Sequence, residues 1–175
     1  MTVAIPKYRA KHVYWDDLEK HVIGFQDVQQ FRIKNRLQLP KHIWRFDSQH
    51  EFKVYLELVR MYGKDAIKRQ WKVDIYNPSW CYPNGKTWKA DFAICFPDSD
   101  YNYDFLVEAK GAFTREFAHT LAALENKDQD IFDSLYIVFS LSIPNENRVI
   151  KSLLNTPFRR RLLTLKNLKK LTQLP

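Results

Sequence analysis

Two short runs rich in aromatic and β-branched residues, Trp88–Phe96 and Asp104–Gly111, limit the folds open to this chain more than any other feature. The segment between them is polar and contains Pro97, which predicts two neighbouring strands joined by a hairpin-like loop. Further on, Ser134–Leu141 is an almost continuous apolar run that is typical of an interior strand. Because a predicted helix precedes this run, we expect its strand to lie parallel to its neighbour.

Charged side chains interrupt the first two of these strands. Asp91 lies inside the first, and Glu108 and Lys110 stand at the end of the second, where they share a face because alternate strand residues do. A buried carboxylate is costly unless it is paired or binds a metal. An Asp and a Glu on neighbouring strands suit a hard cation such as Mg²⁺, and a lysine beside them suits a phosphate or an attacking water. The alternative is that charges at strand ends serve solubility alone.

The remaining pattern places helices around the strands. Apolar residues at helical spacing predict a helix over Phe52–Tyr62, and alternation predicts a strand over Ile67–Tyr76. Thr114 is placed to cap a helix that runs to about Glu125. Helix, three strands, helix, strand and helix follow in that order. This order predicts an α/β fold with a central mixed β-sheet flanked by helices.

The two ends of the chain have a weaker pattern. Asp16–Asp17 is a candidate start for a short helix, and a second helix is predicted within Phe25–Leu37. Near the other end, a short helix opens at Asn145, and a last helix begins at Thr156 with a stripe of leucines at Leu162, Leu165, Leu168 and Leu171. We assign a single domain over residues 1–175, with a basic helical extension at about 145–175.

The net charge of +8 is unevenly distributed. Residues 1–46 carry +5, residues 47–146 carry −5, and residues 147–175 carry +8 with no acidic residue. An acidic centre between basic ends suits a metal site between phosphate-binding segments, and therefore a nucleic-acid partner. The alternative is an ordinary solvated basic surface.

Composition argues for a folded protein away from the membrane. Hydrophobic residues make up 45% of the chain, yet no apolar run approaches the length of a membrane span, and the N-terminus lacks the apolar core of a signal peptide. Cys81 and Cys95 have no paired metal-ligand spacing, so we expect packing residues in a reducing, cytoplasmic setting.

The chain resembles the PD-(D/E)XK nuclease superfamily, the restriction-endonuclease-like fold, over about residues 43–141. Glu51 on the first helix, Asp91 on the second core strand and the Glu108-Ala109-Lys110 triplet on the third carry this resemblance. A closer similarity is to small phage-type endonucleases of the Holliday-junction-resolvase-like kind. Their K-Y-x-x-K, F-D-S-x-x-E, Y-x-A-D-F and E-x-K-G motifs correspond to residues 7–11, 46–51, 88–92 and 108–111. Two departures are that Ala90 stands where the superfamily usually has proline and that residues at about 17–42 resemble an insertion before the core at about 43–141.

The resemblance implies phosphodiester hydrolysis that depends on Mg²⁺ or Mn²⁺. The implied metal ligands are Asp91, Glu108, the backbone carbonyl of Ala109 and, for a second ion or a metal-bound water, Glu51. Lys110 would position the attacking water and offset the charge of the phosphate. Gln70, on the preceding strand, is a further catalytic candidate. For Glu51, the Ser48-x-x-Glu51 pattern also fits a capping box at a helix start.

Basic and helix-capping residues are the candidates for binding DNA. Thr114 and Arg115 open a helix, and helix N-termini favour anions. The full set comprises Lys7, Arg9, Lys11, Ser48, Thr114, Arg115, Arg159, Arg160, Arg161, Lys166, Lys169 and Lys170. Since both strands of a duplex must be cut, we also expect a homo-oligomer.

Three functions remain open at this point. The first is a branched-DNA (Holliday junction) resolvase, which reads shape. The second is a sequence-specific endonuclease of the intron-encoded homing or restriction type, which reads base edges in the major groove. The third is a nucleic-acid-binding module without catalysis.

Overall fold

The structure is a computed structural model of the chain, and it describes residues 12–34, 38–76, 84–100 and 102–173. By its internal contacts the chain divides into two compact units, Met1–Phe52 and Lys53–Pro175. A single domain over 1–175 stays a prediction. The candidate DNA-binding residues Lys7, Arg9 and Lys11 lie outside the described residues. Within the described ranges, no helix is both long enough and apolar enough to cross a bilayer.

The first unit contains a small antiparallel sheet. Its strands β1 (Val13–Asp16), β2 (His21–Ile23) and β3 (Ile43–Phe46) lie in the order β2-β1-β3, and helix α1 (Phe25–Lys34) confirms the predicted second helix. The buried core of this unit comprises Tyr14, Ile23, Val28 and Ile43, with Phe31 and Leu39 packed against it. The predicted insertion at 17–42 therefore supplies a strand, a helix and half of this core.

The short helix predicted at Asp16–Asp17 is wrong, because these residues close a hairpin. The Asp16 carboxylate accepts the N–H groups of Leu18 at 2.8 Å and of Glu19 at 3.0 Å. The hydrogen bond from Glu19 is the largest influence on the pKa of Asp16, which is lowered from its ordinary value. Lys20 completes the turn with a φ of 56°. Aspartate competes for nearby backbone N–H groups in this way, which favours turns over helix interiors.

Helix α2 (Gln49–Tyr62) confirms the predicted helix, and it begins in the first unit and continues into the second. Its first turn packs on the small sheet, where Phe52 contacts Trp15 and Phe46 at ring distances of 5.3 and 5.1 Å. It ends at Gly63, whose φ of 79° is the left-handed conformation of a helix C-cap.

The second unit is built on a mixed five-stranded sheet. Its strands are β4 (Ile67–Tyr76), β5 (Lys86–Ile94), β6 (Phe105–Lys110), β7 (Leu135–Phe139) and β8 (Leu162–Thr164), in that order across the sheet. The pairs β4–β5 and β5–β6 are antiparallel, whereas β6–β7 and β7–β8 are parallel. The predicted hairpin, the predicted parallel strand and the α/β class with a mixed sheet are therefore confirmed.

Helices cover both faces of this sheet. Helices α3 (Arg115–Lys127), α4 (Gln129–Asp133) and α5 (Arg148–Leu154) share one apolar cluster with Leu106 of β6; its helical members are Phe117, Leu121, Leu124, Phe132 and Ile150. Helix α2 packs on the opposite face, where Tyr62 contacts Phe105, the strand neighbour of Leu106, at 5.7 Å.

The single helix predicted from Thr156 onward is wrong. Thr156 caps a 3₁₀ segment, Pro157–Arg161, then the chain enters β8, and a second 3₁₀ segment spans Leu165–Gln173. The leucines recur every three residues, which is the 3₁₀ period and not the 3.6-residue period of an α-helix. Between the two segments, Leu162 and Leu163 pair with β7 and are both buried.

Replacing Leu163 by Ala tests this C-terminal strand. In the predicted helix Leu163 lies beside the leucine stripe, but in β8 it is only 6% exposed. We therefore expect Leu163→Ala to lower the free energy of unfolding by about 2–5 kcal/mol, as other buried leucine truncations do. Urea denaturation measures this change.

The matched control is Leu141→Ala, at a leucine that is 86% exposed, which should change stability by no more than about 0.5 kcal/mol. Equal effects of the two substitutions would contradict the strand.

Candidate active site

Strands β5 and β6 part at the level of Asp91 and Glu108. Their antiparallel pairing ends at Phe92 and Val107, one residue before Asp91 would meet Glu108. Beyond this point β5 continues beside β4, while β6 continues beside β7 as far as Lys110. Where two strands part, the backbone N–H groups on their facing sides need new acceptors, since an unpaired buried N–H costs free energy.

The two carboxylates supply those acceptors. The N–H of Ala109 donates to Asp91 Oδ2 at 2.8 Å, and the N–H of Asp91 donates to Glu108 Oε2 at 3.1 Å. Each strand thus offers a side-chain oxygen to the backbone of the other, through hydrogen bonds strengthened by the negative charge. The parting of the strands therefore brings both carboxylates to one place, as the sequence predicts.

Lys110 joins this pair of acids. Its Nζ forms an ion pair with Glu108 Oε1, and the two side chains are 24% and 3% exposed. The same ammonium lies 4.3 Å from the centre of the Phe117 ring on α3, a cation–π arrangement. A carboxylate as buried as Glu108 needs such a partner. Asp91, Glu108 and Lys110 consequently form one connected network.

The chemistry of this network fits a hard divalent cation. Mg²⁺ is commonly held by one or two carboxylates, with water and substrate phosphate as its remaining ligands. Asp91 and Glu108 supply two carboxylates on neighbouring strands, and Ala109 lies between Glu108 and Lys110. Across the residues that the structure describes, there is no group of three or more His, Cys, Asp or Glu side chains that is placed to hold an ion. The fit therefore rests on the carboxylate pair.

Glu51 belongs to the first unit and stabilises the start of α2. It is 4% exposed, and its Oε2 accepts the N–H of Asp47 at 2.7 Å. Its own N–H donates to Ser48 Oγ at 3.0 Å. This is a capping box shifted by one residue, because Glu51 accepts from the residue before the cap. The capping alternative is confirmed in this form, and the catalytic and metal-binding roles of Glu51 and the DNA contact of Ser48 stay predictions.

Gln70 lies on β4, next to the strand of Asp91. Pairing is regular on both sides of it, between Arg69 and Phe92 and between Trp71 and Ala90, so Gln70 stands opposite Asp91. It is exposed, and its φ of 53° is unusual within a strand.

The start of α3 lies close to Lys110, because Phe117 belongs to its first turn. Thr114 caps this helix by accepting the N–H of Phe117 at 3.2 Å, and Arg115 is exposed beside it. A carboxylate is already present here: hydrogen bonds from the backbone N–H of Glu116 and from the Thr114 hydroxyl lower the pKa of Glu116. A DNA phosphate at this helix start would share its donors with Glu116, a competitor that the sequence analysis did not anticipate.

The basic C-terminal residues fall at two different ends of the parallel strands. The segment after β8 begins at the end where β6 reaches Lys110, and it carries three exposed lysines, Lys166, Lys169 and Lys170. The three arginines Arg159, Arg160 and Arg161 precede β8 and so belong to the other end. Since the predicted phosphate site includes Lys110, the lysines are the better placed of the two groups.

Two partners escaped the sequence analysis. Phe117 supports Lys110, although the pattern indicated only a core position for it. Arg161 forms an ion pair with Asp133 at 2.9 Å, and its guanidinium lies 5.6 Å from the Phe158 ring. Arg161 is thus a structural residue as much as a candidate DNA contact. The contacts of Lys110 with Phe117 and of Arg161 with Asp133 have no local sequence signal, because each joins residues of different elements.

Comparison with known proteins adds no family to these observations. No protein-family model matches the chain. No curated protein and no solved structure matches it either. The resemblance to the PD-(D/E)XK superfamily stays a prediction carried by the residues named above.

Replacing Asp91 by Ala is expected to speed hydrogen exchange at the Ala109 amide by about tenfold or more, because this N–H loses its charged acceptor. Amide exchange followed by NMR measures the rate. The control is the Leu106 amide on the same strand, which donates to the Ser134 carbonyl at 2.9 Å and should exchange as before. An unchanged exchange rate at the Ala109 amide would mean that the Asp91 carboxylate does not accept this N–H.

Proposed function

We propose that this protein is a divalent-metal-dependent DNA endonuclease with a restriction-endonuclease-like core. The observation that carries the proposal is the exchange of hydrogen bonds between Asp91 and the Glu108–Lys110 segment, with Lys110 paired to Glu108. A purely structural role is a weak explanation of this network, because buried ion pairs often stabilise no more than apolar residues of the same volume. A catalytic role is the better explanation of charged side chains that lie together where two strands of the sheet part.

Each side chain of the network has a role in phosphodiester hydrolysis. Asp91, Glu108 and the Ala109 carbonyl would hold the cation. When bound, Mg²⁺ or Mn²⁺ makes a water ligand more acidic and offsets negative charge on a phosphate. The Lys110 ammonium has three N–H donors, of which one serves Glu108. The others suit a phosphate oxygen or the lone pair of the attacking water, which they would orient.

The distribution of basic residues supports DNA as the substrate. Residues 147–175 carry eight positive charges and no acidic residue. Three exposed lysines of this segment follow β8, which ends on the side of the sheet where Lys110 lies. Phosphate contacts of this kind give affinity without sequence preference. Branched DNA is the first substrate to test, since the closer similarity in sequence is to resolvase-like endonucleases.

A cleavage assay with Mg²⁺ tests the proposal on a synthetic four-way junction, a matched linear duplex and a plasmid library of varied sequence. Wild type is expected to cut at least one of them. Asp91→Asn keeps the size of the side chain but removes its charge, and Lys110→Ala removes the ammonium. Each should slow cleavage by about 100-fold or more, as the loss of electrostatic stabilisation does elsewhere. Glu125→Gln, at an exposed acid of α3, is the control and should cut normally.

The outcomes separate the candidate functions. Cutting of the junction alone indicates a resolvase, and cutting at discrete duplex sequences indicates a homing or restriction-type enzyme. Wild type that binds DNA but cuts nothing contradicts the proposal and favours a binding module. Normal cutting by Asp91→Asn contradicts the site. A thermal melt with and without Mg²⁺ gives a second readout, because a ligand of the folded state raises its stability and Asp91→Asn should lose that effect.

The two basic groups at the C-terminus are compared with matched double variants. Lys166→Ala/Lys170→Ala should weaken DNA binding and flatten the dependence of log affinity on log salt by up to about two, because two phosphate contacts are lost. Arg159→Ala/Arg160→Ala removes the same charge from the other end of β8 and should have the smaller effect. Fluorescence anisotropy over a salt series measures both. A larger effect of the arginine pair would place the DNA at the opposite end of the sheet.

A further inference from the structure

Gln70 has a backbone conformation that its position in a strand does not explain. Two non-glycine residues in the described part of the chain have a positive φ, Lys20 and Gln70. Lys20 ends a hairpin turn, where such a conformation is common. Gln70 lies in the middle of β4, where a residue with a Cβ adopts φ near 53° only at an energetic cost.

The neighbouring strand changes face at the same level. Phe92 stacks on Tyr55 of α2 at 6.2 Å, whereas Ala90 belongs to the apolar cluster under α3 on the opposite face. Residues two apart in a regular strand share a face, and residues three apart do not. Ala93 nevertheless lies in the same cluster as Ala90. β5 therefore turns over at Asp91.

β4 turns over together with β5. Arg69 pairs with Phe92, and Trp71 pairs with Ala90 and packs against the α3 cluster. The pairing has the same register on both sides of Gln70, so no residue has been inserted. In an extended strand successive side chains alternate between the two faces, so without an insertion the faces exchange where a residue leaves the extended conformation. In β4 that residue is Gln70.

We infer that Gln70 is a positioning residue whose left-handed backbone keeps β5 turned over at Asp91, so that the Asp91 carboxylate reaches the Ala109 N–H on β6. The inference concerns the Gln70 backbone, so the exposed side chain is not needed to hold the geometry of Asp91. The expected effect on cleavage rests on the proposed nuclease function, whereas the expected effect on the geometry of Asp91 does not depend on it.

Three substitutions separate the backbone from the side chain. Gln70→Gly removes the side chain and favours a positive φ, so the Ala109 amide should exchange as slowly as in wild type and the denaturation midpoint should rise. Gln70→Ala removes the side chain without favouring a positive φ, and the Ala109 amide should again exchange slowly. Gln70→Val disfavours a positive φ and should slow cleavage by about 100-fold, as small misplacements of reacting groups do.

The hydrogen exchange of the Ala109 amide is the readout that does not require activity. It should stay slow in Gln70→Gly and become fast in Gln70→Val. The same three substitutions at Lys72, an exposed β4 residue with regular pairing, are the control, and there Gly should destabilise while Val is tolerated. If Gly is better tolerated than Val at Gln70 and worse tolerated than Val at Lys72, the difference identifies the left-handed conformation at Gln70.

Several results would overturn the inference. Fast Ala109 exchange in both Gln70→Gly and Gln70→Ala would assign the positioning role to the side chain. Normal cleavage and slow exchange in Gln70→Val would remove the role altogether. If Gln70→Val does not fold, a lower denaturation midpoint in Gln70→Gly decides against the inference by itself. Absence of cleavage in wild type would contradict the proposed function, while the exchange and denaturation results would still decide the role of Gln70.

Discussion

The candidate site depends on one exchange of hydrogen bonds across a break in a sheet. Where β5 and β6 part, the Asp91 carboxylate accepts the N–H of Ala109, and the Glu108 carboxylate accepts the N–H of Asp91. These bonds allow the strands to separate without leaving buried donors unpaired. They also fix both acids in orientation, since each is bound to the backbone of the other strand. The same contacts therefore maintain the fold and assemble the chemistry.

Charge compensation links this break to the rest of the second unit. Glu108 is almost fully buried, and the ammonium group of Lys110, two residues further along the same strand, neutralises its charge. Lys110 in turn lies over Phe117, which belongs to the cluster that packs α3 on the sheet. A change in the packing of α3 would therefore change the position of the Phe117 ring against the Lys110 ammonium group. Since one N–H of the Lys110 ammonium serves Glu108, its other two N–H groups are the donors that the proposed function would use.

The strong local patterns predicted their elements correctly, whereas two of the weaker patterns at the chain ends did not. α2, α3 and β4 to β7 have long or regular apolar periods, and all were predicted. A leucine repeat of three residues resembles one of 3.6 over a short stretch, so the C-terminal pattern favoured an α-helix, whereas β8 forms by pairing with β7. The pattern at Asp16 was ambiguous because aspartate serves both helix starts and turns. The proximity of Asp91, Glu108 and Lys110 was predicted from charges within two neighbouring strands, whereas the contact with Phe117 and the conformation of Gln70 were not.

The sequence by itself determined the order of α2, β4 to β6, α3 and β7, the mixed sheet and the charged residues within its strands, because these follow from periodicity and from charges placed within apolar runs. Only the tertiary structure decided how those charges are held. The parting of β5 from β6, the change of face at Gln70 and Asp91, and the contact of Lys110 with Phe117 each join residues from different elements. Such contacts depend on how strands and helices pack together, and a pattern read along one strand does not contain that information.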